Sequence, residues 1–239
     1  MVNVEDIRFS SPLYSVAEAA RIIDVPTPTF QTWVKGYIRR PAGHPEVHGK
    51  AVVTSVPGEP GHIVVPFIGL VEGMVLAAIR RQGVPLQRIR PALEVLERKI
   101  GIKSALASKR LFTDGAEILF DYAESMDNTP EAKSVRELVV LRHGQYIFAD
   151  VVNDYLKCIT FADDGWAERL RLPQYDHASV IVDPRRSFGR PVFEHGGVCL
   201  ADALGLFQAG ENLEMVCAEY GVERTEMEDA VRVASKRAA

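Results

Sequence analysis

Between Tyr14 and Tyr37 an amphipathic helical pattern is interrupted once, by Asp24-Val25-Pro26, and this broken pair constrains the fold more than any other stretch. Ser15 with Glu18 three residues on is a capping box, and Val16, Ala19, Ala20 and Ile23 follow at helical spacing. Pro26 cannot continue that helix. Thr27 restarts the chain as an N-cap, Pro28 suits the first helical position, and Phe30, Trp33, Val34 and Tyr37 supply a second apolar face. Two short helices joined by a tight turn around a buried valine make a helix-turn-helix.

The next residues extend it into a winged module. Ala51–Ser55 and His62–Val65 read as strands around the turn-rich stretch 56–61, and a hairpin after a helix-turn-helix is a wing. Phe67–Gln82 and Pro85–Lys99 read as helices stopped by Gly83 and Gly101, which closes a first domain at residues 1–103. Over 104–172 the pattern becomes that of a small α+β domain on an antiparallel sheet. Three hairpins are expected there, Arg110–Thr113 with Ala116–Tyr122, Leu138–Leu141 with Gln145–Ile147, and Cys158–Phe161 with Trp166–Leu170, with a short helix at Val151–Leu156. Residues 178–239 read as a mainly helical third domain. It holds strands at Val180–Val182 and Val192-Phe193, then helices at Leu200–Gln208, Leu213–Tyr220 and Glu226–Ser235, the last capped by Thr225. The last two helices form a second helix-turn-helix around Tyr220-Gly221-Val222. The fold class is therefore α+β.

Charge sorts these parts by partner. The 239 residues carry a net −4, which taken whole argues against nucleic acid. Residues 1–103 nevertheless hold 13 basic and 9 acidic side chains, and residues 104–239 hold 15 and 23. In the basic part, the second helix of the first helix-turn-helix turns Thr29, Gln31, Thr32 and Lys35 outward, beside Thr27 at its start. Hydroxyls, an amide and a cation suit base edges and phosphates. Arg39, Arg40 and Lys50 add sequence-independent attraction to the backbone. In the acidic part, the last helix presents Glu226, Glu228 and Asp229, which phosphate would repel, so that face suits a protein partner.

Other chemistries find no support. No nucleophile–base pair, phosphate-cradling loop or cofactor motif occurs, so the chain does not read as an enzyme. His44-x-x-x-His48 lies among prolines and glycines and lacks a ligand set for zinc. Asp163-Asp164-Gly165 is a turn rather than a calcium loop, and Glu194-His195-Gly196-Gly197 is a loop. No run of 18 apolar residues is free of charge, and Met1–Ser10 has no apolar core, so neither a membrane span nor a signal peptide is expected. Cys158, Cys199 and Cys217 read as reduced and buried, in a cytoplasmic protein.

Two stretches resemble known families. Tyr14–Tyr37 with its wing resembles the MerR-like winged-helix domains of bacterial regulators. Residues Ile181–Ser235 resemble the DUF family 433 antitoxin domain through Val182-Asp183-Pro184, Gly189-Arg190-Pro191-Val192, Gly196-Gly197-Val198, Leu206–Gly210 and the terminal helix-turn-helix. Glu194-His195-Gly196-Gly197 stands where most members carry Gly-Thr-Arg. The whole resembles the long VapB-type antitoxins. That resemblance implies neutralisation of a PIN-like ribonuclease toxin and autorepression at operator DNA, by a homodimer or higher assembly. A PIN-type site is a carboxylate cluster holding a divalent metal, so an inserted cation would block it. Arg185, Arg186 and Arg190, or Arg232, Lys236 and Arg237, are the candidates. The acidic back could also cover a basic RNA-binding surface on the toxin. The alternative is a stand-alone MerR-like transcription regulator with a ligand-sensing C-terminal half.

Overall fold

Two side-chain caps open the fold of the computed structural model, which describes residues 6–40, 46–58, 63–81, 83, 85–101, 103–111, 155 and 157–238. Asp6 Oδ1 accepts the Arg8 N–H at 3.0 Å and starts α1 (Ile7–Ser10). Ser15 and Glu18 form the reciprocal box, with Ser15 N–H donating to Glu18 Oε2 at 2.8 Å, and start α2 (Val16–Ile22). The chain divides into two units, Met1–Ala167 and Glu168–Ala239.

In the first unit, α2 turns into α3 (Thr27–Lys35) through Asp24, which takes φ +57°, and through the Val25 N–H, which donates to Ala20 O at 2.9 Å. Val25 is half-buried, less covered than the pattern suggests. Pro26 rather than Thr27 precedes the helix, so the Thr27 hydroxyl is left exposed. The helix also stops before Tyr37. Gly36, at φ +73°, ends it, and Tyr37 opens a two-stranded ribbon of β2 (Tyr37–Arg39) and β3 (Val47–Gly49) in the register Tyr37↔Gly49, Ile38↔His48. Any Cβ at Gly36 would run into the carbonyl of Gly49, so glycine is required by both φ and space.

The expected wing is displaced. Residues 51–55 form no strand, because their N–H groups are engaged elsewhere. Val52 and Val53 donate to Trp33 O at 2.8 and 3.2 Å, and Thr54 donates to Glu72 Oε2 at 2.6 Å. The strands are instead β4 (Val56–Pro57) and β5 (Ile63–Val65), with β1 (Tyr14–Ser15) on the other edge of β5. Pro57 sits on an edge strand, where its missing donor costs no ladder bond.

Helix α4 (Phe67–Arg81) is the core of this unit and is buried on every face from Phe67 to Ile79. Gly69 and Gly73 let neighbours approach it. Added Cβ atoms would meet the Thr54 carbonyl and Val65 at the first, and the Phe30 ring and Ile23 at the second. The amphipathic α5 (Leu86–Ile100) buries Ile89, Ala92, Leu93, Val95 and Leu96 and ends at Gly101 in the left-handed region. A buried single turn at Ala105–Ala107 follows. Residues 109–111 are helical, where Arg110–Thr113 was expected as a strand. The rest of that hairpin, the hairpin at 138–147 and nearly all of the helix at 151–156 lie outside the described residues, as does most of the expected middle domain. The third hairpin is present. Its first strand is β6 (Ile159–Phe161), and Gly165 at φ +82° turns the chain so that Ala162 N–H reaches Trp166 O at 2.9 Å. Trp166 meets Phe9 edge-on at 5.0 Å, and the nearly buried Arg8 is held between Asp6 and Asp164.

The second unit takes β7 (Ala167–Arg171), β8 (Val180–Val182) and β9 (Val192–Phe193), antiparallel in that order, with β8 wholly buried. Three helices follow: α6 (Leu200–Gln208), α7 (Leu213–Tyr220) and α8 (Arg224–Ala238). Asn212 caps α7 by accepting the Met215 N–H at 2.8 Å, and Gly221 ends it at φ +62°. Helix α8 begins two residues earlier than expected, so Thr225 lies inside it rather than capping it. Cys199 is buried, and Cys158 and Cys217 are half-buried.

Candidate functional site

The outer face of α3 is what the first unit offers a ligand. Phe30, Trp33 and Val34 point inward and are at most 3% exposed, with the Phe30 and Trp33 rings packed edge to face at 6.0 Å. The 3.6-residue repeat then forces Thr27, Thr29, Gln31 and Lys35 outward, and all four are exposed. Thr32 is half-buried, and its hydroxyl donates to Thr29 O at 2.7 Å. The ribbon rises beside the end of this helix, so Lys35, His48 and Lys50 border one shallow depression. Arg40 is exposed and ion-paired with Glu46, and Lys50 reaches Glu94 at 3.3 Å. For Arg39 the backbone is described in β2. Ile38, 61% exposed, stands on the same ribbon. His48 pairs with Glu46 at 2.7 Å, and His44 lies outside the described residues. Among the described residues no group of side chains is arranged to hold a metal ion.

In the second unit, the acidic face expected on the last helix is largely internal. Asp229 is 3% exposed and accepts the N–H groups of His177 at 2.7 Å and Ala178 at 3.0 Å. Glu226, 7% exposed, accepts the Ser179 N–H at 3.3 Å. These carboxylates hold the segment that leads into β8. Only Glu228 of the three is exposed, and it is bound by Arg224 Nε at 2.7 Å. Burial works against the Asp229 carboxylate, but the bonds from Ala178, His177 and Arg232 outweigh it and hold its pKa below the ordinary aspartate range.

The loop Asp183–Pro191 is different in kind. Ser187 at φ +46° and Phe188 at φ +55° are consecutive non-glycine residues in the left-handed region. Such backbone is disfavoured and persists only where its surroundings hold it. Asp183 accepts the Arg185 N–H at 2.8 Å, and Gly189 closes the turn by donating to Arg186 O at 2.8 Å. The outcome is a Phe188 ring that is 86% exposed. Arg185, Arg186 and Arg190 are exposed on the same loop, with loose ion pairs to Glu168, Asp183 and Asp202 at 3.6–3.7 Å.

Residues 12–93 match a family model described as "Putative DNA-binding HTH domain". Over 228 residues, 95% of each chain, the sequence is 48% identical to a protein of Mycobacterium tuberculosis named "Putative antitoxin VapB45". The chain belongs to the VapB45 antitoxin family. A second relative from that organism, "Uncharacterized protein Rv2308", is 27% identical across 94% of this chain and 90% of its own. The crystal structure of Rv2018 from Mycobacterium tuberculosis is 44% identical and superposes with a TM-score of 0.78, covering 94% of this chain and 99% of the other. No described helix is long and apolar enough to cross a membrane.

Within this antitoxin-family fold, the two basic sets read from sequence differ in placement. Arg185, Arg186 and Arg190 share one exposed loop. Arg232 instead bonds Asp229 and reaches Asp176 at 2.7 Å, which ties α8 to the segment before β8. Lys236 is exposed on the last turns, and the Arg237 side chain lies outside the described residues. Phe188 was missed because nothing local to the sequence marks an aromatic as exposed.

One buried acid also escaped the sequence reading, although a lone Glu in an otherwise apolar helix was its signal. Glu72 of α4 is 4% exposed, and burial raises its carboxyl pKa to about 7 against the pull of the Thr54 and Ser104 hydrogen bonds. The unfolded chain releases this proton near pH 4.5 while the folded chain keeps it to about 7, so stability falls across that window. Glu72→Gln is therefore expected to stabilise the protein at pH 8 by roughly 3 kcal/mol and to change little at pH 4. Thermal melts at the two pH values check this.

Proposed function

We propose that the chain is the antitoxin of a type II toxin–antitoxin pair, acting by binding rather than catalysis. It binds operator DNA through α3 and the adjoining ribbon and represses its own operon, as a homodimer or higher assembly matched to a two-fold operator. Thr27, Thr29, Gln31 and Thr32 address bases and nearby phosphates, while Lys35, Arg39, Arg40 and Lys50 neutralise the backbone. The second unit binds and neutralises a PIN-like ribonuclease toxin. The MerR-like and DUF family 433 resemblances of the two ends support this division of work.

The observation that carries the toxin half is Phe188, a solvent-exposed ring on left-handed backbone in a loop that also carries three exposed arginines. Aromatic and arginine side chains are the anchors on which interfaces depend. An arginine entering a carboxylate-lined nuclease site would compete with the metal there and block RNA. This favours Arg185, Arg186 and Arg190 over Arg232, whose guanidinium is already committed to Asp229 and Asp176.

Co-expression with the toxin tests the assignment. Phe188→Ala, and separately Arg185→Glu with Arg186→Glu, are expected to weaken the purified complex at least about tenfold and to restore toxicity, with the melting temperature retained. Full neutralisation by both variants would remove the loop from the interface.

A further inference from the structure

The first unit contains a cleft of about 770 Å³ between the 50–54 segment, α4 and α5. We propose that this cleft binds a small organic anion, a metabolite carrying a carboxylate or phosphate group that pairs with Arg90.

Arg90 is the reason. Nε, Nη1 and Nη2 are all shielded from solvent, and none of them has a hydrogen-bond partner among the described residues. A guanidinium carries five donors and stays charged, so leaving it buried and unmatched is costly. The guanidinium carbon lies over the Tyr37 ring, 5.3 Å from its centroid, a cation–π contact that takes up none of its in-plane donors. The carboxylate one turn on, Glu94, is directed to Lys50 instead. What is lacking is a planar or tetrahedral oxyanion, for which the guanidinium fork is the geometric match.

The rest of the cleft fits a small molecule rather than a strand of nucleic acid. Its volume lies in the range of metabolite pockets. Lys50, Arg98 and Lys103 at the cleft offset the carboxylates of Glu94 and Glu97, and Val52, Val53 and Leu93 supply apolar wall. The Glu72 carboxyl and the Thr54 and Ser104 hydroxyls, themselves 2.7 Å apart, also line the cleft and offer polar contacts to the non-acidic part of a ligand. The cleft floor at Val52 and Val53 is hydrogen-bonded to Trp33 of α3, so an occupant sits one bond from the last turn of that helix.

Titration calorimetry and thermal melts of the full chain test this, with citrate, L-glutamate, inorganic phosphate, glucose 6-phosphate and AMP as probes at matched ionic strength. At least one probe is expected to bind saturably, one per chain, and to raise the melting temperature. Arg90→Met should weaken that binding about tenfold or more, whereas Lys35→Ala should not. Without any probe, Arg90→Met should melt at or above the wild-type temperature, since no hydrogen bond is lost. Absence of saturable binding across the panel would overturn the proposal, as would unchanged binding by Arg90→Met or a lowered probe-free melting temperature. An Arg90 dependence seen only with a non-specific DNA duplex would also overturn it, and would make Arg90 a backbone contact.

Discussion

Phe30→Ala is expected to destabilise the first unit by about 3–5 kcal/mol and to abolish DNA binding with it. Phe30 is fully buried, and its ring lies against Gly73 at the point where α3 crosses α4. Removing it deletes the apolar contact and leaves a cavity that α4, packed on every side, cannot collapse to fill. The opposite change at the same place should also be felt. Gly73→Ala would put a Cβ 2.5 Å from Phe30 Cε2 and 2.9 Å from Ile23 Cδ1, overpacking worth about 1–3 kcal/mol. Gly69→Ala should cost more than Gly73→Ala, because its Cβ meets the Thr54 backbone rather than a side chain that can turn away. Urea unfolding, followed by tryptophan fluorescence from Trp33, orders the three variants.

Asp229→Ala should destabilise the second unit by about 2–4 kcal/mol. It strips the acceptor from two backbone N–H groups and from Arg232 at once, in a place with almost no access to water. The effect depends on pH, and the sign follows from the lowered pKa. A carboxylate depressed in the folded state contributes its full stability above the unfolded value, near 3.9. That contribution is lost as the pH falls from there through the folded value. The gap between wild type and Asp229→Ala should therefore be widest at neutral pH and close in acid. A gap of equal size at pH 7 and in strong acid would show that Asp229 acts by packing and not by its charge.

What the sequence made legible was whatever has a local cause. The Ser15–Glu18 box, the break at Pro26, the apolar run of α4 and the glycine stops of α5 and α7 are all set by residues within a turn of one another. The ribbon at 37–49 was missed although a local sign existed. Gly36 follows a cationic last turn and marks a helix end, yet Tyr37 falls at helical spacing from Phe30, Trp33 and Val34. The wing was placed five residues early because the 51–55 stretch has strand-forming side chains. Its N–H groups are taken by Trp33 O and by Glu72, which no local pattern reveals. Glu226 and Asp229 were read as surface for the same reason, since their partners at 177–179 lie some fifty residues away. At the candidate sites, the outward row of α3 followed from helix periodicity alone. The exposure of Phe188 and the unmatched Arg90 depend on backbone and packing that only the fold supplies.

The central claim is that one chain carries two separate binding faces, α3 for operator DNA and the Phe188 loop for the toxin. A gel-shift experiment on the chain's own promoter, with and without purified toxin, tests it most directly. Wild type should shift the DNA and be supershifted by toxin. Arg185→Glu with Arg186→Glu should keep the shift and lose the supershift. Gln31→Ala with Lys35→Ala should lose the shift, with the toxin still bound in solution. A wild-type chain that leaves its promoter unshifted, or loop variants that are supershifted as wild type is, would contradict the account.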